Sequence, residues 1–420
     1  MEKVKGSSKQ RFKIFLRILL IIVLIIAIIC ASLVIVSLVG IKSNKDFISS
    51  ISTVEYDNQL VPELGDDGYY TFVTDDEFKI MQLTDVHIGA GFMCTKKDNM
   101  ALNAVASMVS AEKPDLVVVT GDIAYPVPFQ AGTFNNKNSA KLFAELMEQL
   151  GVYWCFAFGN HDTESYSYYS REQIAEFYTG GDYPHCIAQP GPEDVDGTGN
   201  YVVNVKNTKG EITQSLFMLD SHSYVDNDLV GLMMKYDTIH ESQVKWYEET
   251  VKSLTDQNNG ITPKSLAFYH IPNPEFKDAW MEYVNNDFTD TENVKYKYGM
   301  LGEKDLLICS SSYNYGFFDK CVELGSTQGI FVGHDHLNNF SVNYKGIQLT
   351  YGYSIDYLAY FGIMNYGSQR GCTTIDIMPD GSFDCKKENY YQDKYASVNA
   401  KENVSMDNYY EEVEDMPNEK

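Results

Sequence analysis

Six short apolar runs, each followed at once by acidic, amide or histidine residues, constrain the fold of this chain more than any other feature. The runs are KIMQLT, DLVVVT, VYWCFAF, SLFML, SLAFY and GIFV. Nearly continuous apolar runs of this length are typical of strands that are covered on both faces of a sheet. Two stretches between them, residues 99–114 and 136–151, have helical apolar spacing and end at Pro114 and Gly151. The pattern predicts an α/β protein.

The polar residues that follow these runs point to a single site. In α/β sheets, sites form beyond the carboxyl ends of the strands. The runs lead into D-V-H (85–87), G-D (121–122), G-N-H-D (159–162), Asp220, His270 and G-H-D-H (333–336). Carboxylate, imidazole and amide groups together suit divalent or trivalent first-row metals, rather than calcium or metals that prefer thiolates. Seven candidate ligands are too many for one ion, so we predict two, an arrangement that can clamp a displacement at phosphorus.

The ordered set D-x-H, G-D, G-N-H-D, H and G-H-x-H resembles the calcineurin-like metallophosphoesterases, which include the purple acid phosphatases. The resemblance spans about residues 78–377. The stretches GTGNYVVNV, FMLDSHSY, ESQVKWY, YHIPNPE and GHDHLNNF are similar to the shorter purple-acid-phosphatase-like branch. The resemblance implies a four-layer α/β/β/α sandwich and a metal-dependent phosphoric ester hydrolase. It also implies two ions from Fe, Mn or Zn, with attack on phosphorus by a metal-bridging hydroxide.

The resemblance also implies a role for each motif residue. The first metal would be held by Asp85, His87, Asp122 and His336. The second would be held by a bridging Asp122 together with Asn160, His270 and His334. His161 would be the general acid or a donor to the substrate phosphate, and Asp162 would orient its ring.

Three further residues have alternative interpretations. Tyr125, in G-D-I-A-Y, stands where purple acid phosphatases place an iron-binding tyrosinate, whereas those enzymes usually have glycine in place of His87. We favour His87 as the ligand, with Tyr125 as the alternative. Arg370 could bind a substrate anion or be a solvated arginine, and His222 could line the pocket or belong to a surface loop.

The N-terminal region predicts a membrane anchor. Ile18 to Ile41 is a run of 24 uncharged residues, long enough to span a bilayer and too long for the apolar core of a cleaved signal peptide. Six cations precede the run and only Lys42 and Lys45 follow it closely, which predicts a cytoplasmic N-terminus and an outward-facing catalytic domain. The predicted regions are a basic tail (1–17), an anchor (18–41), a linker (42–76), a metallophosphoesterase domain (77–390) and an acidic disordered tail (391–420).

Charge limits the range of partners. The chain has a net charge of −25, and its first 17 residues carry +5, so the remainder carries −30. Such a surface repels polyanions, and we expect no general nucleic-acid binding. The expected partners are a phosphate-ester substrate and the membrane. We predict an anchored phosphomonoesterase; the alternative is a phosphodiesterase acting on cyclic nucleotides, nucleotides or phospholipid head groups. A binding protein on a retired enzyme scaffold should have lost ligands, and none is lost.

Overall fold

The architecture was determined from a computed structural model that describes residues 2–226, 228, 231, 233–303, 307–363 and 370–395, with the side chains of the first helix described from Lys9 onward. The helices are α1 Glu2–Ser49, α2 Thr95–Glu112, α3 Asn136–Leu150, α4 Arg171–Thr179, α5 Glu241–Gln257, α6 Pro274–Asn285 and α7 Phe317–Leu324. The first seven strands are β1 Glu63–Leu64, β2 Tyr70–Val73, β3 Phe78–Leu83, β4 Leu116–Thr120, β5 Trp154–Ala157, β6 Tyr201–Lys206 and β7 Ile212–Met218. The other seven are β8 Lys264–Phe268, β9 Val294–Tyr298, β10 Thr327–Val332, β11 Ser341–Tyr344, β12 Ile347–Tyr351, β13 Gly371–Ile377 and β14 Phe383–Asn389.

The strands form two sheets. The five-stranded sheet has the order β14-β13-β3-β4-β5, in which β3, β4 and β5 are parallel. The nine-stranded sheet has the order β1-β2-β6-β7-β8-β10-β12-β11-β9, in which β7, β8, β10 and β12 are parallel. All five residues of β4 are buried, as the run DLVVVT predicts for a strand covered on both faces.

The sheets pack face to face, and helices cover their outer sides. The side chain of Gln82 on β3 donates to the carbonyl of Val332 on β10 at 3.0 Å, and the rings of Phe331 and Phe383 lie 6.0 Å apart across the interface. Helices α2 and α3 pack outside the five-stranded sheet, and α5, α6 and α7 pack outside the nine-stranded sheet. The predicted four-layer α/β/β/α sandwich is confirmed.

The first helix continues from the apolar run into the domain. Apart from the half-buried Leu33, its large apolar side chains from Phe12 to Val39 are exposed, and by length and composition this helix could cross a membrane. From Gly40 onward it packs against α2 and α3, where Asn44 and Ile48 are buried and Lys45 pairs with Glu145 at 2.7 Å. The described helix therefore has no break between the apolar run and the domain.

The prediction of a linker at residues 42–76 is wrong. The Tyr56 hydroxyl donates to the carbonyl of Pro114 at 2.7 Å, and β2 pairs with β6 in the nine-stranded sheet. These residues are part of the packed domain because their backbone groups pair with its helices and strands. At the other end, Tyr395 is buried and donates to Glu112, so the first residues of the predicted tail also pack. Residues 396–420 lie outside the described residues, and their disorder stays a prediction.

Candidate metal centre

The strand ends bring the predicted ligands to one edge of the molecule. Asp85, Asp122 and Asn160 follow β3, β4 and β5 of the five-stranded sheet. His270 follows β8, and the G-H-D-H motif follows β10, in the nine-stranded sheet. Parallel strands place their carboxyl ends at the same edge, and the face-to-face packing brings the two edges together. The candidate site thus lies across the seam between the two sheets.

Four of these side chains form a tight buried group. Asp85, His87, Asp122 and His336 each offer one ligand atom, and these atoms all lie within 4.8 Å of one another. The Nε2 atom of His87 lies 3.3 Å from Asp122 Oδ2, and that of His336 lies 3.6 Å from Asp85 Oδ1. Two carboxylates and two imidazoles converging in this way can hold a first-row metal ion.

The other three predicted ligands lie on the far side of Asp122. The Nε2 atom of His270 is 3.1 Å from Asp122 Oδ2 and 3.1 Å from Asn160 Oδ1. The ring of His334 lies 5.1 Å from the ring of His270, and its buried Nε2 atom has no hydrogen-bond partner. A buried imidazole nitrogen without a partner is costly, and a metal ion would satisfy it. The donor set therefore fits a second ion, with Asp122 between the two positions.

The backbone at the site is strained. Asp85, His87, Asp122 and His334 adopt φ values of 51°, 51°, 54° and 79°. For residues with a Cβ, this left-handed region costs on the order of 1 kcal/mol or more each, and such strain gathers at functional sites. The strained residues are themselves candidate ligands, so the loops hold these side chains in place at the expense of local backbone energy.

Glycine is required beside the ligands, as the motifs predict. A Cβ on Gly159 would lie 2.1 Å from Asp122 Oδ1, and one on Gly333 would lie 1.8 Å from Thr84 Oγ1. Gly121 combines a close approach to His270 with a φ of +86°. These glycines allow the backbone to pass directly behind the ligand side chains.

At Asp122 and His334 the local electrostatics favour the forms that bind metals, whereas at His87, His270 and His336 burial is outweighed by neighbouring carboxylates, which raise the pKa of these imidazoles. Burial opposes ionisation of Asp122, but neighbouring His270 and His161 outweigh it and hold the pKa of this carboxyl well below its usual range. Burial, reinforced by His270, lowers the pKa of His334 well below its usual value. Asp122 is therefore a carboxylate and His334 a neutral imidazole, which are the forms that coordinate metals.

Asp356 completes the centre and was missed by the sequence analysis. Its carboxylate is buried, with Oδ1 at 3.1 Å from Nδ1 of His87 and Oδ2 at 3.1 Å from Nδ1 of His336. A carboxylate on the rear nitrogen fixes the tautomer and orientation of a metal-binding imidazole. The available signal was the run IQLTY, which is a further apolar strand followed by glycine and, soon after, an acid.

His161 lies beside the ligands, but its orienting partner is not the predicted one. Its Nδ1 atom is 2.7 Å from Glu164 Oε1, and its backbone N–H donates to Asp122 Oδ1 at 2.7 Å. Asp162 instead accepts backbone N–H bonds from Gly159, Asp122 and Ala124. The prediction that Asp162 orients the ring is wrong, because its carboxylate holds together the turns that carry the ligands. Glu164, three residues beyond His161, holds the imidazole.

Tyr125 packs against the centre without directing its hydroxyl to it. Its ring lies 4.8 Å from the ring of His87 and 4.7 Å from that of His161. The hydroxyl donates to Gln130 at 2.8 Å, and His87 occupies the place among the carboxylates. The geometry favours His87 over Tyr125 as the ligand.

The two predicted substrate contacts differ in position. His222 lines a cavity of about 730 Å³ together with Glu164, Arg171 and Tyr224. This cavity adjoins the metal centre, because the Tyr224 hydroxyl accepts from Asn160 Nδ2 at 3.0 Å. A role for His222 in substrate binding stays a prediction.

Arg370 does not reach the cavity. It is 1% exposed, its Nε donates to the carbonyl of Ile355 at 3.0 Å, and its guanidinium lies 3.6 Å from the centre of the Tyr357 ring. Both readings of this residue, as an anion-binding and as a solvated arginine, are therefore wrong. Its bonds to backbone carbonyls fix the loop that carries Asp356.

Comparison with known proteins places this centre in a family context. A family model described as calcineurin-like phosphoesterase matches residues 78–338. The Arabidopsis thaliana protein named "Probable inactive purple acid phosphatase 14" is 32% identical over 316 residues, covering 69% of this chain and 73% of the relative. Phosphatase DCR2 of Saccharomyces cerevisiae is 28% identical over 284 residues, covering 63% of this chain and 45% of the relative. The crystal structure of a dimetal phosphatase from Danio rerio is 13% identical, with a TM-score of 0.45, and covers 75% of this chain and 97% of that one.

The family model spans more than half of the chain and contains every motif that carries the resemblance. The four-layer architecture and the buried Asp and His group at the strand ends are consistent with this family match. The chain belongs to the calcineurin-like phosphoesterase family, the metal-dependent phosphoesterases.

Proposed function

We propose that this protein is a membrane-anchored phosphatase that hydrolyses phosphomonoesters at a centre of two metal ions. The observation that carries the proposal is the convergence of seven ligand side chains from both sheets beside His161. The ions would be Fe, Mn or Zn, which match the mixed carboxylate, imidazole and amide donors.

The proposed ligand sets follow the two groups of side chains around Asp122. Asp85, His87, Asp122 and His336 would hold one ion, and Asp122, Asn160, His270 and His334 would hold the other. When bound, two ions supply Lewis-acid polarisation of the phosphoryl oxygens and activation of the attacking water.

His161 is the proposed proton donor to the leaving group. Glu164 holds the Nδ1 side of the ring, so Nε2 is the atom left to exchange a proton with substrate. The imidazole is 22% exposed, unlike the fully buried ligands, and it stands at the opening of the centre. A donor needs this access, because the leaving alkoxide comes from the solvent side.

The apolar run of α1 is the proposed anchor. The exposed apolar part of the helix precedes the domain and is long enough to cross a bilayer. Six cations lie before the run, which supports a cytoplasmic N-terminus and an outward-facing catalytic domain.

Phosphomonoesters are the proposed substrates because one matched relative is named a probable inactive purple acid phosphatase and another a phosphatase. The test uses the full chain in detergent micelles, supplied with Mn, Zn or Fe. Hydrolysis of p-nitrophenyl phosphate is compared with hydrolysis of bis-p-nitrophenyl phosphate. A strong preference for the monoester supports the proposal. A preference for the diester replaces it with the alternative, a phosphodiesterase acting on nucleotides or lipid head groups.

The name of the Arabidopsis relative contains the word inactive, so a binding protein on the same scaffold is the rival function. This chain keeps all seven candidate ligands and His161. Asp122→Asn should lose bound metal, whereas His161→Ala should keep it. If the unsubstituted chain binds two metal ions and turns over neither ester, the rival function is favoured.

A further inference from the structure

The membrane helix meets the domain at the same edge as the metal centre. A Cβ on Gly40 would lie 2.1 Å from Thr95 Oγ1, so α1 contacts the domain at the start of α2. Thr95 comes directly after the loop that carries Asp85 and His87, and so it lies at the carboxyl edge of the strands.

The contact between the N-terminal segment and the domain ends at the opposite edge of the sheets, where the strands begin. The N–H of Val54 donates to the carbonyl of Leu150 at the end of α3, and the Tyr56 hydroxyl donates to Pro114 just beyond α2. Helix α1 therefore runs beside α2 in the same direction. Its apolar part extends away from the domain on the side of the metal centre.

No spacer separates the apolar run from this edge. The uncharged run ends at Ile41, and Gly40 is already buried against the domain. A helix rises about 1.5 Å per residue, so the end of the run and the Gly40 contact lie within one turn of each other. A bilayer around the run would therefore lie against the carboxyl edge of the strands.

Three loops at this edge form one contiguous group, here called the edge loops: residues 89–94, 125–133 and 355–363. The N–H of Met93 donates to the carbonyl of Ala131 at 3.2 Å, and the side chain of Gln130 donates to the carbonyl of Ala359. Cys94, Tyr125, Ala131, Leu358 and Ala359 form a small apolar cluster beneath them. The edge loops are therefore packed against one another. The first of them ends at Cys94, next to Thr95, where α1 contacts the domain.

The edge loops present apolar side chains outward. Phe361 and Phe129 are 105% and 89% exposed, the highest values for large apolar side chains among the described residues. Met93 is also exposed, and it is followed by Lys96 and Lys97 at the start of α2. Exposed phenylalanines beside lysines are typical of segments that lie in the interface of a bilayer.

The second and third of these loops border the metal centre, the second through the ring of Tyr125. Asp356, which contacts His87 and His336, accepts the N–H groups of Leu358 and Ala359 in the third loop. The ring of Tyr360 stacks on that of His336 at 4.5 Å, and Phe361 is the next residue. A chemical group held at the surface that Phe361 contacts would therefore lie next to the metal centre.

We propose that the edge loops dip into the bilayer that holds α1, and that the metal centre takes a phosphate ester carried on a lipid head group in that bilayer. This inference rests on the proposed anchor and on the proposed phosphoesterase activity. The lipid surface is the partner that contacts the apolar side chains of the edge loops, because the membrane helix of the same chain brings the bilayer to this edge.

The surface contact is tested by tryptophan quenching with the full chain in nanodiscs. The lipid is phosphatidylcholine brominated near the head-group end of its acyl chains. Phe129→Trp and Phe361→Trp should each add emission that is quenched by the brominated lipid. Ile261→Trp is the matched control, because Ile261 is 65% exposed in the turn before β8, at the opposite edge. The unsubstituted chain gives the background of the three native tryptophans.

Quenching at positions 129 and 361 but not at 261 supports the inference. The absence of quenching at 129 and 361 overturns it, even if the chain hydrolyses p-nitrophenyl phosphate. Quenching without hydrolysis of any ester supports the contact and counts against the proposed function. The two proposals can therefore fail separately.

The substrate class is tested with phosphatidic acid in nanodiscs against soluble p-nitrophenyl phosphate. Replacing both Phe129 and Phe361 by serine should lower hydrolysis of the lipid by about tenfold or more, because two large apolar contacts with the interface are lost. Hydrolysis of the soluble ester should stay unchanged, and Ile261→Ser should affect neither. If the double variant lowers neither rate or both equally, the lipid assignment is wrong.

Discussion

At the scale of single residues, two carboxylates hold the imidazoles of the centre from behind. Asp356 contacts the Nδ1 atoms of His87 and His336, and Glu164 contacts the Nδ1 atom of His161. In each case the Nε2 atom is left for chemistry at the centre, as a ligand or as a proton donor. These carboxylates therefore act through the imidazoles and not on the substrate.

Replacing Asp356 tests its role as a positioning residue. Asp356→Asn keeps the shape of the side chain but removes the charge that fixes His87 and His336. We expect metal affinity to fall by about 10- to 100-fold, the usual cost of losing such a partner. Competition with a chromogenic chelator measures the affinity. The control is Asp384→Asn, an exposed carboxylate on β14, and equal affinity in the two variants would contradict the role.

Replacing His161 and Glu164 separately and together tests their coupling. His161→Ala should keep both metal ions and lose most activity, about 100-fold or more, because a proton donor is removed. Glu164→Gln should lose less, and the double variant should resemble His161→Ala, since Glu164 acts only through the ring. Turnover of p-nitrophenyl phosphate and metal content by elemental analysis are the measurements. Glu176→Gln, exposed on α4, is the control, and additive losses would show that Glu164 acts independently.

The motifs predicted which side chains converge, because a strand end fixes where the next two or three residues lie. They did not predict the supporting residues. Asp162 adjoins His161 in sequence, yet the turn directs its carboxylate to backbone N–H groups. Asp356 and Arg370 lie in a loop whose course depends on tertiary packing, so nothing local in the sequence shows that one supports ligands and the other is buried.

At the scale of elements, α1 is one continuous helix whose apolar run is exposed and whose last turns pack against α2 and α3. The apolar run was recognisable because 24 uncharged residues leave few alternatives. The packed segment after it was not, because its fully buried apolar residues, Ile48, Ile51 and Val54, stand among polar residues. The strand β2 is joined through backbone pairing with β6, which composition does not reveal.

Truncation tests whether the first packed segment belongs to the domain. A chain that begins at residue 60 lacks Ile48, Ile51 and Val54, whereas a chain that begins at residue 40 keeps them. Burying three such side chains contributes on the order of 5 kcal/mol, so the shorter chain should have a clearly lower Tm. Differential scanning calorimetry of both chains measures the difference. Equal Tm values would mean that this segment contributes nothing to the fold.

At the scale of the whole molecule, the metal centre joins the two sheets. The four layers were predictable because the motifs identify a family with that layering, and the family match confirms it. The position of the proposed anchor relative to the site was not predictable, since it depends on how α1 docks against α2. All eight cysteines lie among the described residues and are unpaired there, so no disulfide links the two sheets in this part of the chain.

Removing metal should therefore loosen the whole domain. Chelation leaves the carboxylates of Asp85 and Asp122 buried together without a cation. A ligand at 100 to 1,000 times its Kd stabilises by about 3–4 kcal/mol, so chelator should lower the Tm and added Mn²⁺ should restore it. Thermal unfolding followed by circular dichroism is the measurement. A reductant serves as the control and should leave the Tm unchanged, and a Tm insensitive to chelator would contradict this role of the centre.

The division of the ligands between two sheets also has a consequence for biosynthesis. The first ligand, Asp85, and the last, His336, are separated by most of the domain, and neither sheet alone holds a complete set. During synthesis the ribosome must release the chain beyond His336 before the centre can close. If the centre binds metal as proposed, loading would be a late step, and the ions available where the finished domain folds would decide which metals are installed.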